Sequence, residues 1–181
     1  LPDAIINIKD FLSQKLRSNE LSYEKKIILS VGRLTKQKNF KYLINELSNF
    51  LNDNKNYILI ILGDGEEKKE LKNLINKLNL NDKVFLLGFK DNPLSYMLRA
   101  DIFVLSSLWE EVGFVMIEAA ICNTFIISSD CPNGPKEFLN YGKNGIMYKS
   151  NSKDSLLKSL INYSSLNKEK VFADKVILKK K

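Results

Sequence analysis

Two glutamates, Glu110 and Glu118, stand with seven residues between them in the segment Ser106-Ser107-Leu108-Trp109-Glu110-Glu111-Val112-Gly113-Phe114-Val115-Met116-Ile117-Glu118. A helix opening near Gly113 or Phe114 carries Glu118 about one turn inward and leaves Glu110 on the loop before it. Two carboxylates at two depths can accept hydroxyl hydrogens of one ligand in charge-assisted bonds, and the helix start offers free N–H groups to a phosphate or sugar hydroxyl. The same residues also fit a plainer arrangement, with Glu118 a buried, satisfied carboxylate and Glu110 a surface loop residue.

A second segment, Gly32-Arg33-Leu34-Thr35-Lys36-Gln37-Lys38-Asn39, joins a Gly turn to Arg33 and, five residues later, to Lys38 at a helix start. The glycine lets backbone approach a ligand, and the two cations with the helix N-terminus can hold a diphosphate. The alternative is a solvated basic loop. A third segment, Gly63-Asp64-Gly65-Glu66-Glu67, begins like a dinucleotide fingerprint, but Lys68 stands where the third glycine belongs. Glu66 and Glu67 would repel a pyrophosphate at that helix start, so the segment reads as a tight strand-to-helix turn and a nicotinamide dinucleotide loses its support.

The elements that must position these loops follow from hydrophobic period. Ile27–Val31, Tyr57–Leu62, Val84–Leu87, Asp101–Leu105 and Phe125–Ser128 are short apolar runs that read as buried strands, with a further short one at Ile146–Tyr148. Between them, Phe40, Leu43, Ile44, Leu47, Phe50 and Leu51 form an amphipathic helical stripe, and Leu71, Leu74, Ile75 and Leu78 form another. Shorter helices are expected from about Pro93 to Leu98 and Phe114 to Ile121, and a longer one around Leu156, Leu157, Leu160 and Ile161. Strands apolar on both faces, alternating with helices, imply an α/β fold: a doubly wound, Rossmann-like parallel sheet with helices on both faces. Ligands of such sheets bind outside the carboxyl ends of the strands, where the strand order reverses, so the three loops above are the expected site.

The expected organisation is a lead-in or interdomain linker over residues 1–26, a Rossmann-like domain over 27–165, and a basic C-terminal helix or tail over 166–181. The lead-in holds one short helical possibility around Ile8 to Leu16, and Lys168–Leu178 is expected to be helical. Hydrophobic residues make up 44% and charged residues 27%, as in an ordinary soluble domain. Apolar runs such as Ile102–Leu105 and Val112–Ile117 fall far short of a membrane span. There is no histidine, and Cys122 and Cys131 form no CxxC, which argues against a zinc site and a disulfide framework. The default compartment is the cytoplasm. The net charge of +7 includes Lys175, Lys179, Lys180 and Lys181 in the tail, and its general Lys and Asn richness reads more simply as compositional bias than as a nucleic-acid patch.

Taken in order, Gly32-Arg33-Leu34 with Lys38-Asn39, the Gly-Asp-Gly turn, Ala100-Asp101-Ile102-Phe103-Val104-Leu105-Ser106, the Glu110–Glu118 segment, Ser129-Asp130-Cys131-Pro132-Asn133-Gly134-Pro135-Lys136-Glu137 and Gly142-Lys143-Asn144-Gly145-Ile146 resemble the C-terminal domain of retaining GT-B glycosyltransferases of family 4, the "group 1" class. The resemblance runs from about Ile27 to at least Ile161. It implies that Arg33 and Lys38 hold the donor diphosphate, that Glu110 contacts the transferred sugar, and that Glu118 binds the ribose hydroxyls. It further implies that Gly32 and the backbone of Val112, Gly113, Phe114 and Val115 touch donor, and that Phe89, in Gly88-Phe89-Lys90, lies near the base. Arg33, Lys38 and Glu110 are thus the expected catalytic set. No cofactor and no metal are expected, the donor being a UDP- or GDP-sugar.

One departure is local: where the family often reads Glu-Gly-Phe-Gly, this chain has Glu110-Glu111-Val112-Gly113, with Glu111 in place of the first glycine. The other is large: GT-B enzymes place the acceptor site mainly in an N-terminal domain, and no second Rossmann-like unit fits here. The expected partners are therefore the nucleotide-sugar donor and that N-terminal acceptor-binding domain, with no nucleic acid. The family's usual setting, cell-surface polysaccharide or glycolipid synthesis, brings peripheral contact with the inner membrane face or a lipid-linked acceptor, and the basic tail is compatible with it. Two rival readings are a non-catalytic nucleotide-sugar-binding or regulatory module and a basic nucleic-acid binder; the latter lacks aromatic and basic residues interleaved as a single-strand platform needs.

Overall fold

The computed structural model describes residues 25–165; the lead-in ahead of Lys25, the helix expected near Ile8 to Leu16 and the basic tail lie outside the described residues. Six strands form one parallel sheet: β1 (Lys26–Val31), β2 (Tyr57–Leu62), β3 (Val84–Leu86), β4 (Ile102–Leu105), β5 (Phe125–Ser129) and β6 (Ile146–Tyr148). Their spatial order is β3-β2-β1-β4-β5-β6. Among the described residues six α-helices connect or flank them: α1 (Phe40–Asp53), α2 (Lys68–Lys77), α3 (Pro93–Arg99), α4 (Phe114–Ile121), α5 (Pro135–Phe138) and α6 (Ser155–Ser165).

The period of two along each strand divides the interior into two cores. Ile28, Leu59, Ile61, Ile102 and Val104 face one side, where they meet Leu43, Ile44 and Leu47 of α1, Leu71 and Ile75 of α2, and Leu156 and Leu160 of α6. Leu29, Ile58, Ile60, Phe103 and Leu105 face the other, against Met97 of α3 and Met116 and Ala119 of α4. All six residues of β2 are buried, because both of its faces are covered. Truncating a fully buried side chain such as Phe103 would cost about 3–5 kcal/mol.

The helix ends account for part of the asparagine content that composition alone left as bias. Six of the eight non-glycine residues at positive φ among the described residues are asparagine, including Asn39, Asn79 and Asn123. Asparagine enters the left-handed region more readily than other side chains, so these positions end turns or helices at small cost. Asn92 caps α3 by accepting from the Ser95 N–H, and Pro93 follows at the first helical position, where a missing N–H is harmless.

The connection from β1 to α1 differs from the helix start expected at Lys38. Lys36–Lys38 make a single 3-10 turn, Asn39 then takes φ 54° and ψ 39°, and α1 opens only at Phe40. The left-handed residue stops the turn from running into the helix. Lys38 is therefore carried on a loop.

Candidate functional site

The strand order reverses at β1, which has β2 on one side and β4 on the other. Above that point the β1–α1 loop meets the β4–α4 loop, and a set of bonds joins them. The Leu108 N–H donates to the Gln37 carbonyl at 2.8 Å, and Gln37 Nε2 donates back to the Trp109 carbonyl at 2.9 Å. Ser106 Oγ donates to the Lys38 carbonyl at 2.7 Å. The Glu110 N–H reaches the Pro132 carbonyl at 3.3 Å, which adds the loop after β5.

At the centre of this junction Lys38 Nζ lies 2.6 Å from Glu110 Oε1. The pair is largely withdrawn from water, with side-chain exposures of 15% for Lys38 and 7% for Glu110. Ser107 Oγ donates to the same Oε1. The sequence left Glu110 open between a ligand-facing and a surface position; the fold buries it.

Arg33 stands on the same loop but is exposed, and it makes no side-chain hydrogen bond or ion pair among the described residues. A guanidinium left unengaged at the carboxyl end of the sheet can bind a carboxylate or phosphate in bidentate fashion. Gly32 lies beneath the stem of Lys38, whose side-chain carbons pass 3.2 Å from where a Cβ would sit.

Gly113 takes φ 72° and ψ 45°, a left-handed cap that a glycine adopts freely, and α4 begins at Phe114. No capping side chain closes this helix, and the N–H groups of Phe114 and Val115 find no acceptor among the described residues. Phe114 and Val112 are exposed, Val115 is partly buried, and Glu111 projects into solvent in place of the family's glycine. Glu118 lies half-buried on α4, with no side-chain hydrogen bond or ion pair among the described residues. Phe89, in the loop after β3, is 74% exposed.

The Gly-Asp-Gly turn contributes indirectly. A Cβ at Gly63, which has φ 136°, would sit 1.9 Å from the Gly32 carbonyl oxygen. The Leu34 N–H donates to the Asp64 carbonyl, and the Glu67 N–H donates to the Leu34 carbonyl. The turn is thus packed directly beneath the loop that carries Arg33 and holds it in place. Lys68, where a dinucleotide fingerprint would have glycine, pairs with Asp64 at 2.6 Å and holds that carboxyl below its usual range.

Neither cysteine offers a reactive thiolate. Burial pushes the thiol of Cys131 up, and burial together with the nearby Glu118 pushes that of Cys122 up; both thiols are free. Among the described residues, no group of three acidic or Cys side chains could hold a metal ion, and no helix is long and apolar enough to cross a membrane.

Nothing in the sequence marks Ser106, Ser107, Ser129 or Gln37 as site residues. Their partners are remote in the chain or identifiable only once the loops are folded, and serines and glutamines in loops carry no signal of their own. Lys38 is marked by its charge after the Gly32 turn, and Glu110 by its spacing from Glu118 on a loop entering a helix.

Comparisons with known proteins bear on the family and the fold. Residues 13–174 match the family model for group 1 glycosyl transferases. An uncharacterized glycosyltransferase of Methanocaldococcus jannaschii is 39% identical over 164 residues, covering 83% of this chain and 40% of that protein. The N-acetylgalactosamine-N,N'-diacetylbacillosaminyl-diphospho-undecaprenol 4-alpha-N-acetylgalactosaminyltransferase of Campylobacter jejuni is 36% identical over 141 residues, covering 78% of this chain and 38% of that protein. Among solved structures, Anabaena HepE in complex with UDP and glucose is similar with a TM-score of 0.76 at 23% identity, over 94% of this chain and 45% of that one. At that identity the likeness speaks to the fold, a six-stranded parallel Rossmann-like sheet of GT-B type. The chain spans about two fifths of the length of these curated relatives.

Proposed function

The chain belongs to the group 1 glycosyl transferase family, and from that premise we propose that it is the donor-binding, C-terminal domain of a retaining GT-B enzyme. The observation that carries this reading is the Lys38–Glu110 contact beside the strand-order reversal, on the loop that leads into the uncapped start of α4. Two cations and free N–H groups suit a diphosphate, and buried and half-buried carboxylates suit neutral hydroxyls.

In the proposed reaction the bond from the anomeric carbon to the diphosphate oxygen breaks and a bond to an acceptor hydroxyl oxygen forms. The acceptor's proton leaves with the nucleoside diphosphate or passes to solvent. Arg33, Lys38 and the α4 N-terminus offset the charge that builds on the departing diphosphate, a contact that strengthens toward the transition state. Glu110 holds the transferred sugar and Glu118 the ribose, so the two are not a glycosidase pair flanking one glycosidic bond. Phe89 and the backbone of Val112 to Val115 complete the donor cleft.

The acceptor belongs to a further, N-terminal domain. The name of the Campylobacter relative supports a lipid-linked saccharide as acceptor class, and hence polysaccharide or glycolipid synthesis at the cytoplasmic face of a membrane. Calorimetric titration with UDP, GDP and their sugar conjugates tests the reading. One nucleotide class should bind, and Glu118→Ala should weaken it about tenfold or more. Binding of none of these ligands, or Glu118→Ala binding as tightly as the parent, would overturn it.

A further inference from the structure

Glu110 is held by two donors on one oxygen and none on the other. Oε1 accepts from Lys38 Nζ at 2.6 Å and from Ser107 Oγ. A carboxylate oxygen offers two lone-pair directions, so these donors fill Oε1. Oε2 has no hydrogen bond among the described residues and keeps some exposure to solvent. It is therefore the oxygen that meets solvent or ligand.

The two donors differ in kind. Lys38 is mobile in role, because a bound diphosphate competes with Glu110 for its charge. Ser107 has no such competitor: it is fully buried, neutral and short, and its carbonyl is fixed by the Ser129 hydroxyl at 2.7 Å from the end of β5. Ser106, its neighbour, turns the other way and binds the Lys38 carbonyl. The end of β4 thus sends one hydroxyl to each of the two loops that bear the charged pair.

We infer that Ser107 is a positioning residue for sugar recognition: it fixes the Glu110 carboxylate so that Oε2 accepts a hydroxyl of the donor sugar while Lys38 serves the diphosphate. This rests on the donor-site reading above and adds to it the group that sets the carboxylate's orientation. With the hydroxyl removed, Glu110 keeps its charge and its Lys38 contact but can rotate about its terminal bond. The penalty then falls on ligands that carry a sugar and spares those that end at the diphosphate.

The test is titration of the parent chain, Ser107→Ala and Ser107→Cys with UDP, GDP, UDP-glucose, UDP-N-acetylglucosamine and GDP-mannose. For the base that binds, Ser107→Ala should lose about five- to tenfold in affinity for the sugar conjugate. The bare diphosphate should stay within about twofold, which also shows that the variant is folded. Ser107→Cys, of similar size but a weaker donor, should fall between. Equal losses for both ligand types, no loss for either, or a parent chain that gains nothing from the sugar would each overturn the inference. A parent chain that binds no nucleotide at all would remove the donor-site reading first, and the inference with it.

Discussion

Lys38 and Glu110 are 72 residues apart in the chain and 2.6 Å apart in the fold. One is carried by the loop after β1 and the other by the loop after β4, strands that are immediate neighbours in the sheet. Their contact therefore reports that the switch point is correctly assembled. It also means that Lys38 is already engaged before any anion arrives, whereas Arg33 is not.

Removing one partner of this pair leaves the other charge poorly solvated. Lys38→Met is expected to destabilise the domain by about 1–3 kcal/mol, seen as a lower denaturation midpoint. Nucleoside diphosphate affinity should fall as well, so both readouts move together.

Arg33→Ala should separate the two readouts. The side chain is exposed and without a partner among the described residues, so stability is expected to change by less than about 0.5 kcal/mol. Calorimetry with the nucleoside diphosphate that binds should nevertheless show a loss of about tenfold, since a charge-assisted contact is removed. An Arg33→Ala variant with unchanged affinity would take Arg33 out of the site.

Gly63→Ala tests the bracket beneath the loop. Its Cβ would lie 1.9 Å from the Gly32 oxygen, a backbone atom with no freedom to swing aside, at a φ of 136° that side chains avoid. A loss of about 3 kcal/mol or more is expected, measured by chemical denaturation, with ligand affinity falling because Arg33 and Lys38 shift.

Alkaline pH should weaken the fold through its buried and partly buried tyrosines, Tyr42, Tyr96, Tyr148 and Tyr163, whose hydroxyls burial pushes up. Burial pushes the hydroxyls of Tyr42 and Tyr163 up to about 12, from an ordinary value of 10.0. Between these values the unfolded chain releases protons that the native state keeps, so stability is present below pH 10 and is lost as pH rises toward about 12. Tyr42→Phe should flatten that slope in urea titrations, while costing about 1 kcal/mol at neutral pH for its bond to the Ser152 carbonyl.

Much of the architecture was legible in the chain itself. Tyr57–Leu62, Phe114–Ile121 and Ile146–Tyr148 occur as read, because an apolar run closed by glycine and a helical stripe each have one way to be buried. The start of α4 near Gly113 or Phe114 was equally plain, since a glycine breaks the chain ahead of an apolar run, whereas the left-handed conformation of Gly113 appears only in the structure. Lys38 and Glu110 could be selected as site candidates by type and by their place after strands.

What the sequence could not give was their relation to each other. Hydrophobic period fixes which residues of a strand face a core; it carries no information on which strands are neighbours, and the order β2-β1-β4 is what brings Lys38 to Glu110. The same holds for the serines. Ser106 and Ser107 differ in role only because successive residues leaving a strand point to opposite sides, one toward the β1–α1 loop and one toward the carboxylate. Local residue preferences determined the elements and their caps, whereas the packing of loops across the switch point decided which polar groups meet, because those contacts exist only when distant segments are held together.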